Sequence, residues 1–417
     1  MSSEATQIAY LVSQYPTVTH TFVLREIREL RRMGFDIRVA SIRAADRPFE
    51  QLTWEEQEEQ RTTFYIKPRG YAATSGAHLR ILLSRPFSYL RGLAYALWLG
   101  GLHVSAALRN LLYFAEAVVL ADWMQHEGLS HVHTHFSSTV VLLARRVLPI
   151  RASATIHGSD EFSDPAKYYL KEKIESLDLL RTISEYGRSQ LIRLADPAHE
   201  SKVRVSRLGV DPEVYSPRPF RWNPSPFEIL CVGRLVAAKG LYTLMAALER
   251  LVREDRAVRL RIAGDGPERL GLERDAAERR LTRHVTFEGW QNAAGVAVLY
   301  QQADIFALPS FAEGIPVVLM EAMVTEIACV STSIMGIPEL IRNEVDGLLV
   351  EPANEEELAA ALARLLDQPE LRLRLGKSAR RRVVECYDLG RNTAEFAAML
   401  GEINGRENWP REVRMLN

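Results

Sequence analysis

The sequence predicts an α/β protein made of two Rossmann-like parallel-sheet domains with a cleft between them, and three observations carry that prediction. Short β-branched runs alternate with longer stretches at helical period, the βαβα pattern of parallel sheets covered by helices. The alternation is interrupted once, at 209–226, where five prolines fall among polar residues, and then restarts. A length of 417 residues, 47% hydrophobic and 25% charged, suits about two or three globular domains and excludes a disordered or fibrous chain.

Taken in order, 8–12 (IAYLV), 37–42 (IRVASI), 131–136 (HVHTHF), 152–157 (ASATIH) and 203–205 read as strands, being short, β-branched and bounded by turn residues. The stretches at about 20–33, 105–127, 138–147, 166–178 and 184–194 read as the intervening helices, which completes a first domain over 1–208. Residues 209–226 are the linker. In the second domain, 227–385, strands are expected at 227–233, 258–263, 284–288 and 304–308, and helices at 239–253, 267–281, 293–302 and from 316. Leu241, Leu244, Met245, Leu248, Leu251 and Val252 share one helical face, so that face packs on a sheet. Asn354 and Glu357 form an Asn-x-x-Glu cap that starts a helix over 355–366. The last helix-like stretch, 371–404, follows, and the segment 386–417 is expected to brace both domains. In folds of this kind ligands sit at the carboxyl ends of the strands.

The 52 Lys and Arg against 53 Asp and Glu leave a net charge of -1, without the basic excess of a dedicated nucleic-acid binder. Cys231, Cys329 and Cys386 lack CxxC spacing and sit in apolar or helical contexts, which argues against a disulfide framework or a zinc site and for a reducing cytosol. The opening MSSEATQIAYLVSQYP is polar and acidic and runs straight into a strand, so no signal peptide is expected.

The most specific stretch is 308–323, LPSFAEGIPVVLMEAM. A strand ends, Gly314 permits close backbone approach, and Pro316 suits the first turn of a helix. The backbone N–H groups of Gly314, Ile315, Pro316's neighbours and Val317 then face outward at a positive dipole end, which suits a phosphate. Glu313 precedes that helix and Glu321 lies inside it; carboxylates of this kind accept paired hydrogen bonds from vicinal hydroxyls, as sugars and riboses offer. Two glutamates alone would more often be a solvated loop residue and a surface-helix residue. A second feature is Gly233-Arg234-x4-Lys239-Gly240, where two cations in one strand-to-helix connection can neutralise a diphosphate. A third, Gly264-Asp-Gly266-Pro267, would let a base or ribose lie on the backbone at Gly266, or is a plain Asp-Gly turn.

The order of these motifs, with Phe287-x-Gly289, Gly336-Ile-Pro-Glu339 and Asp346-Gly-Leu-Leu-Val350, resembles the retaining nucleotide-sugar glycosyltransferases of family 4, which have the GT-B fold. The first domain is similar to exopolysaccharide members of that family through Ser13-Gln-Tyr-Pro16-x4-Thr21-Phe22-x3-Glu26-Ile27, His133-x-His135-Phe136 and Ile156-His157-Gly-Ser-Asp160. The resemblance implies that Arg234 and Lys239 hold the donor diphosphate and Glu321 the ribose hydroxyls. It implies that Glu313, with the backbone of Gly314 to Val317, binds the transferred sugar, and that His157 hydrogen-bonds near that sugar and supports the transition state. His133 and His135 are expected to orient loops or the acceptor; HxH on a strand puts both rings on one face, but no third metal ligand is evident. The chain departs from the family in two places. It has Gln14 to His20 in place of a glycine-rich first loop, and Glu326 and Ala328 where Gly and Pro are common, a change expected to alter a helix end.

Residues 61–110 hold Arg61, Lys67, Arg69, Arg80, Arg85, Arg91 and Arg109 and no acidic residue, mixed with aromatic and apolar side chains. The uncharged run 92–108 is 17 residues, short of the roughly 20 a spanning helix needs. Two readings follow: a helix pair lying on an anionic inner leaflet, or a helical insertion packed on the first domain.

The reading as a whole is a retaining, metal-independent glycosyltransferase without a resident cofactor. It would move a hexose-type sugar from a nucleotide diphosphate donor to a hydroxyl of a saccharide or lipid-linked acceptor in exopolysaccharide synthesis. Its expected place is the cytoplasm or the inner membrane face, with no nucleic-acid partner. The alternatives are a nucleotide-sugar epimerase of the same fold and a non-catalytic sugar-nucleotide-binding module.

Overall fold

The computed structural model describes residues 6–405, apart from the side chains of Ser159 and Asp160, so the first residues of the polar N-terminus and the end of the 386–417 segment lie outside the described residues. The chain divides into two compact units. One takes residues up to Ile183, Gly187–Ser206 and Thr393 onward; the other takes Ser184–Tyr186 and Arg207–Asn392.

The first unit is a seven-stranded sheet of β1 (Gln7–Gln14), β2 (Asp36–Arg43), β3 (Phe64–Tyr65), β4 (His131–His135), β5 (Arg151–Ile156), β6 (Leu179–Thr182) and β7 (Val203–Val205). Its order is β3-β2-β1-β4-β5-β6-β7 with every pairing parallel, so the strand order reverses between β1 and β4. Strand periodicity sorts β1 into two cores: Ala9 and Leu11 join the cluster under Val118 and Val141, and Ile8, Tyr10 and Val12 join the cluster containing Ile27 and Leu30 of the helix Thr21–Arg32. Phe396, Ala397 and Leu400, on the helix Leu389–Ile403, complete the second cluster.

The second unit is a six-stranded parallel sheet of β8 (Phe227–Val232), β9 (Val258–Ala263), β10 (Val285–Gly289), β11 (Ile305–Leu308), β12 (Ala328–Thr332) and β13 (Leu348–Val350) in the order β10-β9-β8-β11-β12-β13. Here the reversal falls between β8 and β11. The amphipathic helix Leu241–Arg253 buries Leu244, Met245, Leu248 and Leu251, as its spacing requires. The Asn354 side chain caps Glu355–Asp367 by accepting from the Glu357 N–H at 3.0 Å.

Several elements differ from the sequence reading. The stretch 371–404 is two helices, Pro369–Cys386 and Leu389–Ile403; the second starts where the Asp388 carboxylate accepts from the Arg391 N–H at 2.8 Å. The proline-rich segment 209–226 is tied down: Tyr215 and Arg218 are buried, and Arg221 pairs with the buried carboxylate of Asp304. Helix Val317–Val324 begins one residue after Pro316, which caps it in an extended conformation. That helix ends at Val324, and Glu326 follows with φ 64°, so the left-handed position usually given to glycine is filled here by a charged residue.

Residues 70–126 form three helices, Gly70–Ser84, Pro86–Gly100 and Val104–His126. The uncharged run 92–108 breaks between the last two, at Gly101. The middle helix packs through small residues one turn apart, Gly92, Ala96 and Gly100: a Cβ on Gly92 would lie 2.9 Å from Val147 Cγ2, and one on Gly100 only 2.6 Å from Ala107 Cα. By length and composition the last of the three could cross a membrane, but Ala117 to Ala121 and Met124 of its C-terminal half lie in the first unit's core. The inner faces are thus a packed insertion. The outer faces leave Phe87, Leu90, Trp98, Leu102, Val104 and Leu108 exposed, with Leu102 fully so.

Candidate functional site

In the second unit the sequence motifs converge on the carboxyl ends of β8 and β11, the point where the strand order reverses and where open α/β sheets bind ligands. Gly240 makes the convergence possible. It sits at φ +63°, and a Cβ there would lie 2.0 Å from the Pro309 carbonyl oxygen, so only glycine lets the turn after β8 rest on the loop after β11. The Phe311 N–H donates to the Ala238 carbonyl at 2.7 Å and fastens the two loops. Lys239 is thereby brought to Glu313, and its ammonium bonds the carboxylate that Ser310 Oγ also reaches at 2.8 Å.

Beyond Glu313 the chain turns into Val317–Val324 with no side-chain cap. Among the described residues the backbone N–H groups of Gly314, Ile315, Val317 and Val318 have no hydrogen-bond partner within the protein. Four donors at a helix start beside a Lys–Glu pair can take an anion and hydroxyl groups side by side. Arg234, on the β8 connection, is exposed and makes no ion pair among the described residues. Gly266 has a backbone reason for being glycine: a Cβ there would lie 2.4 Å from the Leu235 carbonyl oxygen, so it keys the turn after β9 onto the Arg234 loop.

Glu321 is buried, and its two oxygens accept from Tyr215 at 2.6 Å and from Tyr300 at 3.2 Å. Sequence reasoning missed both tyrosines. Tyr215 lies in the segment read as a linker, and Tyr300 lies on a helix read only for its period.

The first unit holds a second constellation. Alternate residues of β4, β5 and β6 point to the face that carries Tyr10, and they are polar: His131, His133 and His135, then Ser153 and Thr155, then Arg181. His131 Nε2 and His133 Nδ1 both meet Ser153 Oγ, at 2.9 and 2.8 Å, and His133 Nε2 meets Thr155 Oγ1 at 3.0 Å. Glu26, from the helix Thr21–Arg32, enters this face. It accepts from the Tyr10 hydroxyl and the Arg181 guanidinium and lies 3.1 Å from His135 Nε2. His135 Nδ1 is 2.8 Å from Nε2 of His157, which follows β5 and is half-buried, with its ring stacked on Phe136 at 4.4 Å.

Burial pushes the pKa of His133, His135 and His157 below the ordinary histidine value, so all three are neutral. Burial works the other way on Glu26, but the Arg181 charge and the His135 and Tyr10 hydrogen bonds outweigh it and hold the carboxyl well below its usual range. Glu26, His133 and His135 are close enough together to hold a metal ion. They are ill suited to it, because Arg181 already occupies the carboxylate and each ring nitrogen has a partner. His133 and His135 are therefore interior groups of this network.

Residues 216–382 match the family profile described as Glycosyl transferases group 1. Over nearly its whole length the chain is similar to the putative colanic acid biosynthesis glycosyltransferase WcaL of Escherichia coli K12, at 29% identity over 94% of this chain and 99% of that one. It is similar also to the amylovoran biosynthesis glycosyltransferase AmsK of Erwinia amylovora, at 27% over 86% and 90%. In fold it matches sucrose-phosphate synthase from Thermosynechococcus elongatus (TM-score 0.73, 19% identity, 96% of this chain and 99% of that one). It also matches HepE of Anabaena, solved with UDP and glucose (TM-score 0.72, 16% identity, 95% and 100%). The fold is thus GT-B: two parallel-sheet, Rossmann-like domains of the kind found in glycosyltransferases.

Proposed function

We propose that this chain, which carries a group 1 glycosyltransferase domain over 216–382, is a retaining transferase that moves a sugar from a nucleotide diphosphate donor to a hydroxyl of a lipid-linked saccharide in exopolysaccharide synthesis. The observation that carries this reading is the Lys239–Glu313 pair beside the open amides of 314–318. Lys239, with Arg234, would take the diphosphate, the amides its outer oxygens, Glu313 the sugar hydroxyls, and Glu321, braced by two tyrosines, the ribose. The acceptor oxygen bonds the anomeric carbon on the face from which the diphosphate departs, the bond to the phosphate oxygen breaks, and the acceptor proton passes to the leaving phosphate. Charge accumulates on that diphosphate, where the two cations and the helix start stabilise it without a metal. The family resemblance assigns His157 a hydrogen bond with a sugar hydroxyl.

Glu313→Gln is expected to lower transfer at least about a hundredfold while donor binding, read by calorimetry, persists. Unchanged transfer would remove Glu313 from the site. Incubation with the nucleotide sugar alone tests the epimerase alternative, since a transferase leaves the donor's stereochemistry intact.

A lipid-linked acceptor agrees with the apolar outer faces of 70–108. Their cations are less available than the sequence suggests: Arg80 pairs with Asp122, Lys67 with Glu116, and Arg85 bonds Gln125, so acidic and polar partners from the helix Val104–His126 absorb part of the charge. Membrane contact would then rest mainly on Phe87, Trp98 and Leu102. Replacing all three by Ser is expected to cut co-sedimentation with anionic phospholipid vesicles at least about tenfold, since each side chain contributes about 1.5–3 kcal/mol when buried. Equal binding by this variant and the native chain would end the membrane reading.

A further inference from the structure

We propose that Arg181, Glu26 and His135 form a tautomer-fixing relay that leaves His157 protonated at Nε2 and bare at Nδ1, so that His157 receives a hydrogen bond from a sugar hydroxyl and does not give one. Glu26 and Arg181 are positioning residues in this scheme. The role of His157 toward the sugar rests on the transferase reading; the relay itself does not.

The argument runs outward from the buried end. Glu26 faces a guanidinium and a tyrosine hydroxyl that both donate to it, so it is an acceptor only. The proton between it and His135 therefore sits on His135 Nε2, 3.1 Å away. A neutral imidazole has one proton, so His135 Nδ1 is bare and must accept across the 2.8 Å contact to His157 Nε2. That contact uses the single proton of His157, and its Nδ1 has no protein partner among the described residues. Three aromatic contacts hold the ring: Phe136 at 4.4 Å, Phe22 at 5.2 Å and His135 itself at 5.0 Å. Burial of the whole chain of groups keeps the histidines neutral.

The arrangement gives a purpose to Glu26 in the Thr-Phe-x3-Glu-Ile motif and to the second histidine of HxH, both of which are buried. It also makes one atom decisive. In Glu26→Gln the amide oxygen stays with Arg181 and the amide nitrogen donates to His135, which reverses both histidines: His135 then donates from Nδ1, and His157 carries its proton on Nδ1.

The test is two-bond 1H–15N correlation spectroscopy of the histidine-labelled, ligand-free protein, with the His157 signals assigned by their loss in His157→Gln. The native protein should show His157 protonated at Nε2, and Glu26→Gln should show it protonated at Nδ1. Transfer by Glu26→Gln should fall at least tenfold in kcat with the donor KM within twofold. A native His157 protonated at Nδ1 overturns the relay whether or not the variant folds, and so does a folded Glu26→Gln with an unchanged His157 tautomer. Native tautomers as stated in a chain that transfers no sugar would leave the relay standing and fell the transferase reading.

Discussion

Arg181→Met is expected to destabilise the protein by about 3–5 kcal/mol, read as a fall in the urea midpoint at pH 7. Arg181 and Glu26 are 1% and 2% exposed. Removing the guanidinium strands a carboxylate whose desolvation has already been met, and no water can replace the lost partner without opening the core. The substitution also removes a donor from the Ser206 carbonyl at 2.9 Å and a cation stacked 4.1 Å from the Phe396 ring. Replacing both partners by apolar residues should cost less than Arg181→Met alone, because no charge is then left behind. A single variant within about 1 kcal/mol of native would show that Glu26 is not held as an anion.

The second expected result is a loss of stability between pH 6.5 and pH 4. His131 is wholly buried and its pKa is lowered to about 4, by burial first; its Nδ1 accepts from Asn404 and its Nε2 meets Ser153. In the unfolded chain the same group titrates near 6.5, so between these values the unfolded state binds more protons and stability falls as pH falls. Stability is full above about 6.5, and the loss is complete below about 4. On the order of 3 kcal/mol is at stake for His131 alone. His20, lowered to about 4 by burial and by His135, acts in the same direction, and so do His133, His135 and His157. Glu26 does not offset them, because its carboxyl stays ionised through this window. Urea midpoints at pH 7.5, 6.0 and 4.5 check this, and equal values at the three would refute it.

Most of the sheet framework was legible because its strands are short apolar runs between helices of clear period. The strands β3, β6, β12 and β13 were not; β6 is fully buried, but LLRT is four residues long and carries Arg181, a residue that buried strands exclude unless something charged meets it. That something, Glu26, lies 155 positions away on another element. The Lys239–Glu313 pair spans 74 positions and needs β8 beside β11, which no local pattern states. By contrast the alternation in HVHTH does say that three histidines share a face. What it leaves unsaid is that this face is interior, since the covering helix Leu389–Ile403 comes at the far end of the sequence. The segment 209–226 looked loose because proline and charge obscure periodicity, yet its Arg218, Arg221 and Tyr215 are anchored by Asp304 and Glu321.

One consequence of the Lys239–Glu313 pair concerns selectivity. A small inorganic anion arriving there must part the ammonium from its internal counterion and then lie against a freed carboxylate of its own sign. A ligand with hydroxyl donors at one end and phosphate oxygens at the other satisfies both partners as it separates them. If the site takes a nucleotide diphosphate sugar as proposed, the pair would discriminate against abundant free phosphates before any contact with a base is made.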